Sequence, residues 1–407
     1  MQHSAFLSHS SIKACCKRFF VDGERRGDVV LIDGINEQPT AESIRDAKLE
    51  LLDAINAGEE TSCSGCPWLE FKEWPKVTEA VEYLSLEHHS ICNMRCTYCS
   101  DVYYGGQKPS YNVQKLVSEL ALGVKTVVWG GGEPTLGPEF SPLSRNLALS
   151  GAWQRILSNS IIYNIDVHHL LNDGKAELVT SIDAGTPALF KKIRGVDKMF
   201  EVLNTLSNYA QKRPDLITIK YILTDENCSP HELKEFTEHI RIEGLQRCNF
   251  QISCDFRQDV ATMDELRAVV ELHALLLGIG AECVFIDDLC RIRIAPLLKE
   301  LAKDLRVQRH LPPDIPAINT FMGIRVASAH NTPHVIVWGN GEQSKRLIED
   351  SLFFREVTPT VVDSATYDVL MDRGDPIVIA ASQAYPTIFR ELKQRGLSHR
   401  VIKELVI

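Results

Sequence analysis

Residues 83–100 read YLSLEHHSICNMRCTYCS, a short apolar run followed by a loop holding Cys92, Cys96 and Cys99. The run is the first of several. KTVVWG from Lys125, RILSN from Arg155, ELVTSID from Glu177, ITIKYIL from Ile217 and CNFQIS from Cys248 follow, separated by amphipathic stretches such as VQKLVSELALG, SPHELKEFTEHIRIEG and TMDELRAVVELHALLLG. Apolar runs too short for helices, alternating with segments of helical periodicity that end on glycine, are the pattern of repeated βα units and a parallel sheet. Six units can be counted from Tyr83, enough to curl into a partial barrel. In such barrels ligands gather in the loops at the carboxyl ends of the strands. The expected fold class is therefore α/β, a partial (β/α)6 barrel with a smaller doubly wound unit at its C-terminal end.

The three cysteines follow the first strand in the pattern C-x3-C-x2-C. The chain has twelve cysteines, and in a reducing compartment these read as metal ligands before they read as disulfides. A structural zinc site wants a closed tetrahedral set built from paired knuckles. Three thiolates from one loop instead suit a [4Fe-4S] cubane, in which the fourth iron lacks a protein ligand. An open iron can be chelated by the amino and carboxylate groups of S-adenosylmethionine (AdoMet). One electron then cleaves the sulfonium to methionine and a 5′-deoxyadenosyl radical. One βα unit later comes WGGGEPTL, where Gly131 and Gly132 allow close backbone approach and Glu133 offers an acceptor to a cation.

Together these two motifs resemble those of the radical AdoMet (radical SAM) superfamily, over roughly residues 80–260. Tyr98, just before the last cysteine, belongs to the resemblance. It implies that Cys92, Cys96 and Cys99 hold the cluster and that Gly131, Gly132 and Glu133 receive the AdoMet ammonium. The end of the fourth strand, TSIDAGT, is similar to a Ser-x-Asp ending placed near the AdoMet ribose or carboxylate, which implies Ser181 and Asp183. Asn159, Arg194 and Lys220 reach the same mouth in this register. His88 and His89 read as structurally satisfied histidines. A low-potential reductant such as flavodoxin or ferredoxin is implied as electron donor.

Residues 1–80 form an N-terminal segment with one helical stretch, AESIRDAKLELLDAINAG, and a CSGC pair, Cys63 and Cys66. Two thiolates cannot finish a site. Cys15 and Cys16, or Cys283 and Cys290, would complete a second iron–sulfur cluster; a loop-stapling zinc or plain thiols are the other readings. Cys228, Cys248 and Cys254 read as small core residues. The barrel is placed at 81–290 and a linker at 291–330, around RHLPPDIPAIN. A Rossmann-like unit follows at 331–407, where WGNGEQSKR gives Gly339 and Gly341 but Ser344 at the third glycine position, with Asp363 the nearest acidic residue. It resembles small Rossmann-like domains of sugar biosynthesis; a docking module is the other reading.

Of 407 residues, 44% are hydrophobic and 24% charged, the proportions of an ordinary globular chain. The net charge of −10 argues against nucleic acid as partner, since phosphate contacts need clustered Lys and Arg. No run approaches the roughly 18 apolar residues of a membrane span, and no signal peptide is read at the N-terminus, so a cytoplasmic protein is expected. The expected function is hydrogen abstraction from a small molecule, a sugar or sugar nucleotide. A peptide or protein maturase with an auxiliary cluster and a non-catalytic metal-binding scaffold are the alternatives.

Overall fold

The computed structural model describes residues 3–16, 18–21, 24–67, 69, 80–100, 105–307, 332–351, 353–355, 357–367 and 374–406. The chain divides into two compact units, Met1–Asn159 with Tyr163–Val179, and Ser160–Ile162 with Thr180–Ile407.

In chain order the first unit holds β1 (Ser4–Ser8), β2 (Ile12–Lys13), the hairpin β3 (Arg18–Val21) and β4 (Glu24–Gly27), β5 (Val30–Ile32) and α1 (Ala41–Asn56). There follow β6 (Tyr83–Glu87), α2 (Val113–Leu120), β7 (Thr126–Trp129), α3 (Phe140–Leu149), β8 (Trp153–Leu157) and α4 (Ile165–Asn172). The unit ends inside β9 (Ala176–Ser181). Its strands lie in the order β9-β8-β7-β6-β1-β2-β5, and β6 to β9 are parallel. Leu84, Ser85 and Leu86 are all buried, so β6 shows no in–out alternation, the pattern of a parallel strand covered on both faces. A chain of buried hydrogen bonds ties sheet to helix: Trp129 Nε1 donates to Gln154 Oε1 at 2.8 Å, and Gln154 Nε2 to the Ser144 carbonyl of α3 at 2.8 Å. Asn112 and Asn164 cap α2 and α4, which fixes where each crossover turns into helix.

The N-terminal segment carries the expected helix as α1 and adds strands that its sequence does not announce. β1 pairs in parallel with β6 from Ser4↔Tyr83 to Ser8↔Glu87 and buries Ala5 and Leu7 completely. SAFLS carries too few apolar residues to declare itself by periodicity; its partner strand decides its conformation.

The second unit holds α5 (Pro187–Arg194), α6 (Met199–Ala210), β10 (Ile217–Leu223), α7 (Pro230–Ile242), β11 (Asn249–Cys254), α8 (Met263–Gly278), β12 (Cys283–Ile286) and α9 (Asp288–Val307). Next come β13 (His334–Trp338), α10 (Glu342–Asp350), β14 (Thr358–Val362), β15 (Ile377–Ile379) and α11 (Tyr385–Gln394). β10, β11 and β12 are parallel neighbours. β13 lies between β14 and β15, again all parallel. Every strand expected from Tyr83 to Cys254 is present, and neither unit's strands close into a full barrel. The α/β class with an open parallel sheet stands.

Two expected boundaries shift. The stretch placed in a 291–330 linker begins as α9, which continues helically past Pro296 to Val307; residues 308–331 lie outside the described residues. AECVFI, which reads as an exit from the barrel, is the parallel strand β12. Its Cys283 and Phe285 share one core with Ile336, Trp338, Ile377 and Phe389, so the segment at 331–407 packs onto this strand rather than standing apart. The Phe285 ring stacks on Tyr385 at 5.1 Å between centroids.

Candidate functional site

In the first unit three loops at the carboxyl ends of β6, β7 and β8 are stitched together. The β6 loop carries the cysteines. Its backbone receives the glycine-rich loop directly: Gly132 N–H donates to the His89 carbonyl at 3.1 Å, and Glu133 N–H to the Ile91 carbonyl at 2.7 Å. A Cβ on Gly131 would stand 2.6 Å from the His89 carbonyl oxygen, and one on Gly132 would collide with the Ile91 carbonyl. Gly131 also takes φ +86, so both sterics and backbone conformation exclude side chains here. The run of glycines is thus explained by the approach of two loops.

Glu133 sits at the centre of this junction, 2% exposed. Its Oε1 accepts from the Thr135 hydroxyl at 2.5 Å, the Thr135 amide at 3.2 Å and the Ser158 hydroxyl at 3.0 Å. Its Oε2 accepts from the Asn159 amide at 2.6 Å. Burial pushes this carboxyl above its ordinary range, and the donors from Thr135, Asn159 and Ser158 pull against that shift. The carboxylate read as a cation acceptor is therefore held by four donors of its own unit. Asn159 closes the circuit: its Nδ2 donates to Asn93 Oδ1 at 2.6 Å and lies 3.8 Å from Cys92 Sγ.

The cysteine loop is ordered from within. Met94 N–H points at Cys92 Sγ at 3.4 Å, and Cys99 N–H donates to the Cys96 carbonyl at 3.0 Å. Arg95 Nη1 folds back onto the carbonyls of Cys92 at 2.9 Å and Met94 at 2.7 Å. Ser90 anchors the returning chain through Gln107 N–H to its hydroxyl at 2.9 Å. His88 and His89 meet edge to face at 4.9 Å beside this loop. Burial, helped by His89, pushes His88 down to about 3, so the ring is neutral. His89 Nδ1 accepts from Ile91 N–H at 3.2 Å. Both His88 ring nitrogens and His89 Nε2 are buried without a hydrogen-bond partner among the described residues, unlike the satisfied histidines expected from sequence.

Cys92, Cys96 and Cys99 are each half-buried, and all twelve cysteines lie among the described residues without a disulfide. Among those residues no three His, Cys, Asp or Glu side chains converge on one ion position. A cubane takes its thiolates on separate irons, so its ligands need not meet at a point. A loop with three half-buried sulfurs, one of them met by the Met94 N–H, fits such a cluster.

In the second unit Asp183 is fully buried at φ +63. Its Oδ1 accepts from Ile222 N–H at 2.7 Å, its Oδ2 from Arg194 Nη1 at 2.9 Å, and its carbonyl from Asn227 Nδ2 at 2.9 Å. Burial pushes this carboxyl up to about 8, against the pull of the Ile222 N–H and the Lys220 charge; the Arg194 guanidinium at 2.9 Å also favours the ionised form. Asp183 thus forms a buried ion pair with Arg194 and a hydrogen bond to the β10 backbone. Ser181 is half-buried at the end of β9, and Lys220 half-buried on β10, where it acts on Asp183 electrostatically.

Residues 86–236 match the model of the Radical SAM superfamily. Over this stretch the chain carries a Radical SAM superfamily domain. Among curated proteins it is similar to GTP 3′,8-cyclase of Vibrio parahaemolyticus, 25% identical over 177 residues, covering 40% of this chain and 52% of that protein. GTP 3′,8-cyclase of Haemophilus influenzae is 26% identical over 173 residues, with 40% and 51% covered. The chain thus spans about half the length of the curated relatives it matches. Among solved structures, native anSMEcpe with bound AdoMet is similar at 17% identity and a TM-score of 0.37, covering 54% of this chain and 66% of that one.

The radical SAM loop brings together Cys92, Cys96, Cys99, Gly131, Gly132, Glu133 and Asn159. Ser158, Thr135 and Asn93 complete that network and carry no sequence signal of their own, being common polar residues in loops.

Proposed function

We propose that this radical SAM enzyme holds a [4Fe-4S] cluster on Cys92, Cys96 and Cys99 and AdoMet beside the Gly131–Glu133 loop, and removes hydrogen from a small-molecule substrate. The carrying observation is the locked junction of the cysteine loop with the glycine loop, supported by the family match over 86–236. When bound, the cluster and AdoMet supply reductive cleavage of the sulfonium and a carbon radical.

The chain's own groups supply position. The backbone of Gly131 and Gly132 lies against the His89–Ile91 stretch that leads into the cysteine loop. Glu133, held by Thr135, Ser158 and Asn159, fixes the β7 and β8 loops, and Asn159 carries that order to Asn93 and Cys92. In the second unit Asp183 and Arg194 hold the β9 exit by their ion pair, and Ser181 and Lys220 lie half-buried on β9 and β10. The curated relatives act, by name, on GTP, which favours a small molecule, a nucleotide or sugar nucleotide, over a peptide. A reductant such as flavodoxin or ferredoxin delivers the electron.

Anaerobically reconstituted protein with dithionite and AdoMet is expected to form 5′-deoxyadenosine, and Cys96→Ala to lose both that product and the brown chromophore. Intact AdoMet beside a fully loaded wild-type cluster overturns the proposal.

A further inference from the structure

In the second unit, CVFIDDLCRIRI runs from β12 into the first turn of α9, and IVIAASQAYP from β15 into α11. The carboxyl ends of parallel strands are where such folds hold ligands. Val284 and Ile286 of β12, Leu347 of α10, and Val378 and Ile379 of β15 line a half-open cleft there, of about 540 Å³ counting the space open to solvent. The glycine turn read from sequence as a partial dinucleotide fingerprint is not part of it. Gly339 and Asp363 stand outside the lining, and Asp363 is engaged by Asn340 at 2.8 Å and Thr366 at 2.9 Å.

Into this apolar cleft come polar groups that nothing else in the unit uses. His273 of α8 is 5% exposed and Ser382, just after β15, 6%. Neither side chain has a hydrogen-bond partner among the described residues. The Tyr385 hydroxyl likewise has none, while its ring is held by the stack on Phe285. Enclosed polar side chains left without partners mark the place of a polar occupant, and an apolar pocket with a few convergent polar groups is the usual form of a small-molecule site.

Arg291 gives that occupant its sign. Its side chain is 11% exposed, and Nη2 donates to Asp288 Oδ1 at 2.9 Å and to the Gln343 carbonyl at 3.4 Å. Nε and Nη1 are left without acceptors among the described residues. Burial works against this charge and outweighs the help of Asp288 and Asp287. The remaining donors of a guanidinium form a planar fork that fits phosphate or carboxylate oxygens. Burial also pushes His273 down to about 4, so at pH 7 its ring is neutral, with one nitrogen to donate and one to accept. A phosphoryl group matches this set better than a carboxylate, because it has more oxygens to share among the fork, the hydroxyls and the imidazole N–H. Lys403, exposed on the lining, adds a second cation, and Glu404 beside it suits the hydroxyl groups of an organic body.

We propose that this cleft binds a small organic phosphate, with its phosphoryl group on Arg291, Ser382 and His273 and its body along the apolar wall, independently of the cysteine loop of the first unit.

The test is isothermal titration calorimetry on the full chain and on the full chain carrying Cys92→Ala, Cys96→Ala and Cys99→Ala. The probes are glucose 1-phosphate, uridine monophosphate, inorganic phosphate and succinate. At least one of the two organic phosphates is expected to bind both proteins alike, with inorganic phosphate competing more weakly. Arg291→Met should weaken that binding about tenfold or more, as loss of a charge-assisted hydrogen bond does. Because Arg291 also holds Asp288, Ser382→Ala gives a second reading that leaves the ion pair intact, with a several-fold loss expected. Lys345→Met, on the exposed side of α10, should change nothing. Binding of neither organic phosphate overturns the proposal, and inorganic phosphate binding alone would show an adventitious ion only. An affinity unchanged in both Arg291→Met and Ser382→Ala, or succinate bound in preference to the phosphates, overturns it equally. Binding lost from the triple cysteine variant would remove its independence from the first unit.

Discussion

At the scale of single residues, the clearest constraint is Gly132. A methyl group there meets the Ile91 carbonyl carbon at 2.7 Å, so the cysteine loop has to shift. Gly132→Ala is expected to cost about 1–3 kcal/mol, in the manner of overpacking, and to lower iron incorporation several-fold. Gly151→Ala is the control: Gly151 has φ +86 but open space around its missing Cβ, so stability falls while iron content holds. Equal iron loss in both variants would remove the steric account. A second residue prediction concerns pH. Burial pushes His273 of α8 down to about 4 from 6.5. The unfolded chain therefore binds a proton that the folded chain refuses between pH 6.5 and 4. Stability is full above pH 6.5 and falls as pH drops toward 4, by about 1.4 kcal/mol per pH unit within that window. His273→Leu should flatten the dependence of Tm on pH between 7 and 4.5; an unchanged slope would show that other groups carry it.

At the scale of elements, β1 shows both what pairing does and what sequence leaves unread. β6, β10 and β11 are legible because YLSLE, ITIKYIL and NFQISC are apolar runs of strand length between turn signals. SAFLS offers three apolar residues, Ala5, Phe6 and Leu7, and only its five-residue register against β6 makes it a strand. α9 fails to declare itself for the opposite reason: Pro296 and frequent arginines mimic a linker, while its start at Asp288 is fixed by β12 before it. The site divides in the same way. Cys92, Cys96, Cys99 and the GGGE run announce themselves by spacing, whereas Ser158 and Thr135 matter because they face Glu133 across a loop junction. The same pairing yields a prediction. Removing residues 1–16 strips β1 and β2 from the sheet and leaves the N–H and C=O groups along that side of β6 unpaired, a template for association. Purification of the shortened chain is expected to give aggregates by size-exclusion chromatography; a monodisperse, cluster-loaded product would show that β1 is dispensable.

At the scale of the whole molecule, each unit joins its sheet to its periphery by a specific buried contact, and the second unit exposes that arrangement to measurement. Phe285 of β12 is 6% exposed; it packs in the core shared with Ile336 and Ile377 and stacks on Tyr385 with planes 8° apart. Removing a buried phenylalanine costs about 3–5 kcal/mol, and an offset stack adds about 0.5–1.5 kcal/mol. If residues 332–406 drew their stability only from β13, β14 and β15, Phe285→Ala would leave that segment as protected as before. Because β12 lends it Cys283 and Phe285, the substitution should loosen both sides of the shared core at once. Hydrogen exchange read by mass spectrometry is expected to show faster exchange in β12, β13 and β15 together, while β6 and β7 of the first unit keep their protection. Faster exchange confined to β12 would mean that the C-terminal strands fold on their own, and that the boundary expected near residue 331 is a true domain boundary after all.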